Sequence, residues 1–195
     1  NSFVANNYFI FSKFEFNFNY FDFFKNLIPY HGSGCYNFCM GILNYLVLNK
    51  QLITGGHPSM DSFKKLSKKK ITVVINLLPS HQNFIDNEEF LVAENNMDYI
   101  YIPVEWDNPK ITDFNSFVMA MKKHQGKKIF VHCAKNMRVS AFVYLYRILY
   151  DNIPKEKAKE SIEKIWKPSG TWKEFIEKIL KLSVIHSRNP ASWKS

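Results

Sequence analysis

From residue 42 onward the chain switches repeatedly between two rhythms of apolar positions, and the switching is itself regular. Runs of β-branched and aromatic residues mark strands; apolar residues three and four apart mark helices packed along one face. LVLNKQLITGG predicts a short first strand entering a Gly55-Gly56 turn. Pro58-Ser59 predicts the start of a helix over 59–69, with lysines near its C-terminal end, where the helix dipole favours cations. ITVVINLL (71–78) is the continuous apolar run of a strand covered on both faces. The polar SHQNFID leads to a helix over 88–96, MDYIYIPV (97–104) to the next strand, and EWDNPKITD to a loop. FNSFVMAMKKH predicts a helix over 114–124, KKIFVH a third buried strand over 127–132, and SAFVYLYRILY a helix over 140–150. Two helices follow, over 154–166 with proline in its first turn and over 171–185. Strands alternating with helices predict an α/β fold: a central, mostly parallel sheet with helices on both faces.

Residues 1–39 break this pattern. They hold 14 Phe or Tyr residues and 7 Asn, and FEFNFNYF has strand periodicity without a catalytic motif. The chain opens on Asn1, and the regular pattern begins at Met40. Residues 1–40 therefore read as an aromatic- and asparagine-rich extension, either an incorrectly translated upstream stretch or a packing arm. The expected division is this extension, a catalytic domain over 41–185 and a tail over 186–195.

Composition narrows the function classes. With 46% hydrophobic and 22% charged residues the chain is not disordered throughout. Its longest apolar runs fall short of the ~20 residues a membrane-spanning helix needs, and no secretory signal is visible. The net charge is +9, and Lys13, Lys25, Glu15 and Asp22 cancel, so the excess lies in 40–195. A basic surface favours anionic partners, although an ordinary lysine-rich solvated face is the favoured account of it. The only arginines, Arg138, Arg147 and Arg188, are too few for an arginine-driven nucleic-acid reader, and no membrane signal accompanies them. Cys35, Cys39 and Cys133 are an odd, sparse set, unlike a secreted disulfide framework, which points to a reducing cytoplasm. Cys35 and Cys39 lack a second pair at zinc spacing, and His31, His57, His81, His124 and His186 scatter, so no metal site is expected. His57 reads as a turn residue; Trp166 and Trp172 read as packing anchors for the last helices.

One place carries chemistry. The apolar strand KKIFVH runs through HCAKNMRVS directly into a helix. Where a strand ends and a helix begins, backbone N–H groups and the helix dipole form an anion site. The same field favours the thiolate of a cysteine placed there. A structural thiol is the bland reading of Cys133, but it does not account for the arginine and serine that follow. Thiolate, anion cradle and arginine together equip a chain for phosphoryl transfer through a covalent cysteine intermediate.

These residues resemble the bacterial branch of the protein tyrosine and dual-specificity phosphatase superfamily. The likeness is carried by VHCAKNMRVSAFVYLYR, ILNYLVLNKQLITGGHPS, VVINLL, YIPVEWDNP and IWKPSGTWKEFI, and spans roughly 41–182. It implies a dual-specificity-phosphatase-like α/β fold acting on a phosphorylated protein or small phosphomonoester, with no cofactor and no metal. It implies that Cys133 attacks phosphorus and that Arg138 grips two phosphoryl oxygens in its planar fork. The backbone of Ala134, Lys135, Asn136, Met137, Val139 and Ser140 would cradle the same oxygens. Ser140 would also hydrogen-bond sulfur, and His132 would support the loop from behind. Asn136 stands where relatives carry glycine, and asparagine tolerates a left-handed backbone. Asp107 is the expected general acid, with Glu105 in reserve, provided burial beside Trp106 holds it protonated.

One departure matters. The superfamily places five residues between cysteine and arginine; here Ala134, Lys135, Asn136 and Met137 are four. Aligned without a gap, Val139 stands in the arginine's place. Rhodanese-type sulfurtransferases use a loop of this shorter length, so a persulfide on Cys133 is an alternative. A catalytically weak phosphate-binding module is another.

Overall fold

A computed structural model describes residues 40–82 and 85–188, without the side chains of 186–188. The extension expected over 1–39, with Cys35, Cys39 and His31, lies outside these residues, as do 189–195 of the tail.

Side chains alternate between the two faces of a strand, so each buried strand feeds two cores. The strands are β1 (Leu46–Val47), β2 (Leu52–Gly55), β3 (Val73–Asn76), β4 (Asp98–Tyr101) and β5 (Ile129–His132). They form one five-stranded sheet in the order β1-β2-β5-β3-β4, with β1 antiparallel and the others parallel. The helices are α1 (Met60–Lys68), α2 (Glu88–Glu94), α3 (Ile111–Lys123), α4 (Met137–Leu149), α5 (Lys155–Glu163) and α6 (Gly170–Arg188), with a 3-10 turn at Ser80–Gln82. Leu52, Val73, Ile75, Ile129 and Val131 face a core shared with α3, α4, α5 and α6, including Phe117, Phe142 and Trp172. Ile53, Val74 and Phe130 face the other core, built with Phe63 and Leu66 of α1, Val92 of α2, Met40 and Ile42. Fully burying such a side chain contributes about 1.5–3 kcal/mol. The expected α/β architecture is the one observed.

Three boundaries differ from expectation for identifiable reasons. The single first strand is a hairpin. The side-chain oxygen of Asn49 accepts the N–H groups of Gln51 and Leu52, each at 2.8 Å, and so reverses the chain. Helix α3 begins at Ile111 rather than 114, because Asp113 Oδ2 accepts the Lys110 N–H at 3.0 Å and closes an earlier turn. Helix α4 begins at Met137 rather than 140, because Asn136 takes up the left-handed backbone that turns the chain into it. The last helix also runs to Arg188, past 185.

Parallel strands bring their carboxyl ends to one end of the sheet, where α/β folds place their ligands. Here the segments after β2, β5, β3 and β4 meet, and with them Gly56 and His57, Cys133, Gln82, and the loop holding Asp107.

Candidate active site

Strand β5 is the middle of the sheet, flanked by β2 and β3, so the residues it delivers are fixed from both sides. Cys133 is 1% exposed, and its backbone N–H points to the Gly55 carbonyl at 3.4 Å. The chain then turns through Ala134 and Lys135 to Asn136, which sits left-handed at φ 64°. The side-chain amide of Asn136 donates to the Asn44 carbonyl at 2.8 Å and to Thr54 Oγ1 at 2.9 Å. Asn44, itself left-handed at φ 52°, returns a bond from its amide to the Lys135 carbonyl at 2.9 Å. The His57 N–H donates to the Ala134 carbonyl at 3.1 Å. The segment from Asn44 to His57 thus straps the loop from outside. Gly55 and Gly56 were expected as a turn, but Gly55 is the last residue of β2 and neither glycine has a positive φ. They are required by close approach: a Cβ on Gly56 would lie 2.9 Å from the Ala134 carbonyl oxygen, and one on Gly55 2.6 Å from Ile42 Cγ2.

The first turn of α4 sorts out the short spacing. The Ser140 N–H makes an early helical bond, to the Asn136 carbonyl at 2.9 Å, and the N–H groups of Met137, Arg138 and Val139 lie ahead of it at the helix start. Val139 is fully buried in the core. Arg138 turns the other way: its Nη2 donates to Gln82 Oε1 at 2.9 Å, and its guanidinium carbon lies 5.5 Å from the centre of the Trp106 ring. Arg138 therefore faces the loops after β3 and β4. Its Nε, together with His132 Nδ1, Asn136 Oδ1 and Asn44 Oδ1, is buried with no hydrogen-bond partner among the described residues. Buried polar atoms are nearly always paired, with protein, water or ligand, and these four belong to one loop and its strap. Ser140 Oγ donates to the Met137 carbonyl at 2.9 Å and accepts from Trp166 Nε1 at 3.1 Å. Its hydroxyl is engaged with its own helix and with Trp166, not with sulfur.

Behind the loop lies a polar cluster of which sequence reasoning named only His132 as a site residue. His132 is fully buried, with Nε2 2.7 Å from Glu88 Oε1. Glu88 Oε2 accepts from Asn76 Nδ2 at 3.0 Å, and the same amide donates to the Tyr99 hydroxyl at 3.0 Å. His57 Nε2 stands 3.8 Å from Glu88 Oε2, and its ring meets the His132 ring edge-on at 5.6 Å. His57 is therefore more than a turn residue. Burial, then the neighbouring His132 imidazole, push its pKa down to about 4 against the pull of Glu88. Burial likewise raises Tyr99. Glu88 gave no signal in the sequence because an acid in the first turn of a helix ordinarily complements the dipole at the surface.

The acidic loop is held by its tryptophan. The Trp106 carbonyl accepts from Trp172 Nε1 at 2.9 Å, and the Trp106 ring lies 5.5 Å from both the Trp166 and Trp172 rings. Both tryptophans serve as the expected anchors. Asp107 follows immediately, beside the ring that covers Arg138, but it is exposed, so the burial expected beside Trp106 is not found. Glu105 is also exposed, with Oε1 3.9 Å from His81 Nδ1. Among the described residues no cluster of three His, Cys, Asp or Glu side chains is placed to hold a metal ion, and no helix is long and apolar enough to cross a membrane.

Solved structures share this architecture. The crystal structure of a candidate phosphatase (DUF442) from Shewanella putrefaciens CN-32 is 33% identical over 73% of this chain and 95% of its own, with a TM-score of 0.66. PTPMT1 in complex with PI(5)P is 18% identical, covering 73% of this chain and 98% of its own, with a TM-score of 0.63. TpbA of P. aeruginosa is 13% identical, covering 79% and 95%, with a TM-score of 0.59. At those identities the last two show the fold alone. No protein-family model and no curated protein matches the chain. The 33% identity across nearly the whole DUF442 protein goes further, and it places this chain in the DUF442 family, on the cysteine-dependent protein tyrosine and dual-specificity phosphatase fold.

Proposed function

We propose that this chain hydrolyses phosphomonoesters through a phosphocysteine intermediate, with residues 41–185 as the catalytic domain. The observation that carries the reading is the pairing of Cys133, at the end of the central strand, with Arg138, buried in the first turn of the following helix. Cys133 sulfur attacks phosphorus; the S–P bond forms as the P–O bond breaks, and Asp107 gives its proton to the leaving oxygen. Arg138 and the backbone N–H groups of 134–139 hold the equatorial oxygens as charge moves onto them, the Ser140 N–H being engaged by the Asn136 carbonyl. Water then attacks phosphorus, the S–P bond breaks, and Asp107 takes the water's proton. Ser140 assists this second step by turning its hydroxyl from the Met137 carbonyl toward sulfur. The substrate is a phosphorylated protein or a small phosphomonoester. A reducing cytoplasm, which keeps a thiol free, is the proposed location.

The four-residue spacing supports a second reading, in which Cys133 carries sulfane sulfur as a persulfide. An aryl phosphate assay and a thiosulfate–cyanide assay on one preparation separate the two. Phosphate release without thiocyanate is the expected result; thiocyanate without phosphate reverses the assignment, and phosphate binding with neither product leaves a phosphate-binding module. In the phosphatase, Asp107→Asn lowers kcat about 10²–10⁴-fold for poor leaving groups while Glu105→Gln changes it little. The opposite ranking in steady-state kinetics moves the acid to Glu105.

A further inference from the structure

A carboxylate taken wholly out of water is costly unless each oxygen is matched, and a well-packed apolar side chain serves stability as well or better. Glu88 is such a group: its side chain is fully buried, and both oxygens are engaged. The groups it meets come from successive strands of the sheet. His132 ends β5, Asn76 ends β3, and these two stand directly opposite one another in the parallel register. His57 follows β2. Asn76 relays the contact to Tyr99 of β4. One carboxylate therefore gathers the carboxyl ends of three neighbouring strands beside the loop, with Tyr99 of the fourth joined through Asn76, and its shortest bond, 2.7 Å, is to the residue preceding Cys133.

We infer that Glu88 is a positioning residue of this site, which fixes the His132 ring and, through it, the peptide that presents Cys133. The inference rests on Cys133 being the reacting group and not on phosphate being its substrate. Chemistry sets what Glu88 must be. Asn76 Nδ2 is a donor, and His132 donates from Nε2 when its proton is there, so the site requires two acceptors on one side chain. A carboxylate supplies them. Glutamine has nearly the same shape but replaces one acceptor with an NH₂ group, so with the His132 proton on Nε2 a donor faces a donor in either orientation. Aspartate keeps both acceptors on a shorter stem.

The experiment compares wild type, Glu88→Gln and Glu88→Asp as full chains, each checked for folding by circular dichroism. It measures kcat and KM on an aryl phosphate and the rate at which iodoacetamide labels the Cys133 peptide. Loss of the carboxylate that orients a metal-bound histidine costs about 10–100-fold, and the same order is expected for this orienting carboxylate. Glu88→Gln is expected to lower kcat by that factor with KM within about twofold, to slow labelling about tenfold, and to be partly rescued in Glu88→Asp. A folded Glu88→Gln protein with kcat unchanged and labelling unchanged or faster overturns the inference and leaves Glu88 a purely structural residue. If wild type releases no phosphate, the phosphatase reading fails, yet the labelling comparison still decides the role of Glu88. If Glu88→Gln does not fold, nitrogen NMR of the unaltered protein decides. The His132 ring, assigned by through-bond connection to its backbone, is expected to carry hydrogen on Nε2; a neutral ring protonated only on Nδ1 overturns the inference.

Discussion

Replacing Cys133 by serine leaves a folded protein that binds phosphate and releases none from an aryl ester. The fall in kcat is expected to be about 10⁴-fold or more, because a neutral hydroxyl is a poor nucleophile where no base stands ready to activate it, and loss of the nucleophile disables the whole assembly. Little else changes. The thiol is 1% exposed at the end of a strand held on both sides, and oxygen for sulfur is a small change of volume. Arg138 and the backbone of the α4 start are untouched, so calorimetric binding of inorganic phosphate is expected to survive while turnover disappears. Turnover by the serine protein at more than a thousandth of the wild-type rate would sink the assignment of Cys133 as nucleophile.

The second large effect is on stability in acid. His57 is pushed from its ordinary 6.5 to about 4, first by burial and then by the His132 imidazole, with Glu88 and a backbone bond at Pro58 opposing. Between those two values the unfolded chain binds a proton at this ring that the native chain does not, so stability falls as pH drops from 6.5 toward about 4 and levels off below it. At about 1.4 kcal/mol for each pH unit the total comes to about 3 kcal/mol. The His57 side chain is only 14% exposed, so solvent screens the effect little. Urea unfolding of wild type and His57→Gln at pH 7 and pH 4.5 checks this. The two proteins share every other titrating group, so the wild type is expected to lose more stability than the variant by about that amount. Equal losses would show that His57 takes up its proton as readily folded as unfolded.

Much of this molecule is legible from residue order, and what is hidden has a common cause. The buried strands announce themselves because VVIN and IFVH are apolar at consecutive positions, and Asn136 because few residues tolerate its backbone. The hairpin was obscured because LVLNKQLITGG is apolar on both sides of a turn made by one side chain, Asn49, bonding to its own neighbours. Whether Arg138 or Val139 serves the loop depends on which one the core accepts, and only packing decides it: Val139 is fully buried among apolar residues while Arg138 reaches Gln82. Glu88 and His57 stay hidden because their meaning comes from His132, 44 residues from Glu88, and spacing along the chain carries no record of such a pairing. The exposure of Asp107 was likewise out of reach, since it depends on Trp172 drawing Trp106 inward.

The place of β5 in the sheet has a consequence for the order of events at the ribosome. β2 and β3 are made well before β5, yet they are not neighbours; the last strand to be synthesised fills the gap between them. Until residue 132 emerges, the β1-β2 hairpin and the β3-β4 pair each present an open edge and an uncovered apolar face. A pairing of β2 directly with β3 would be a trap that must come apart before the native sheet can close. The strand that completes the sheet is also the one that carries Cys133, so this chain cannot assemble its reactive centre before its scaffold is whole.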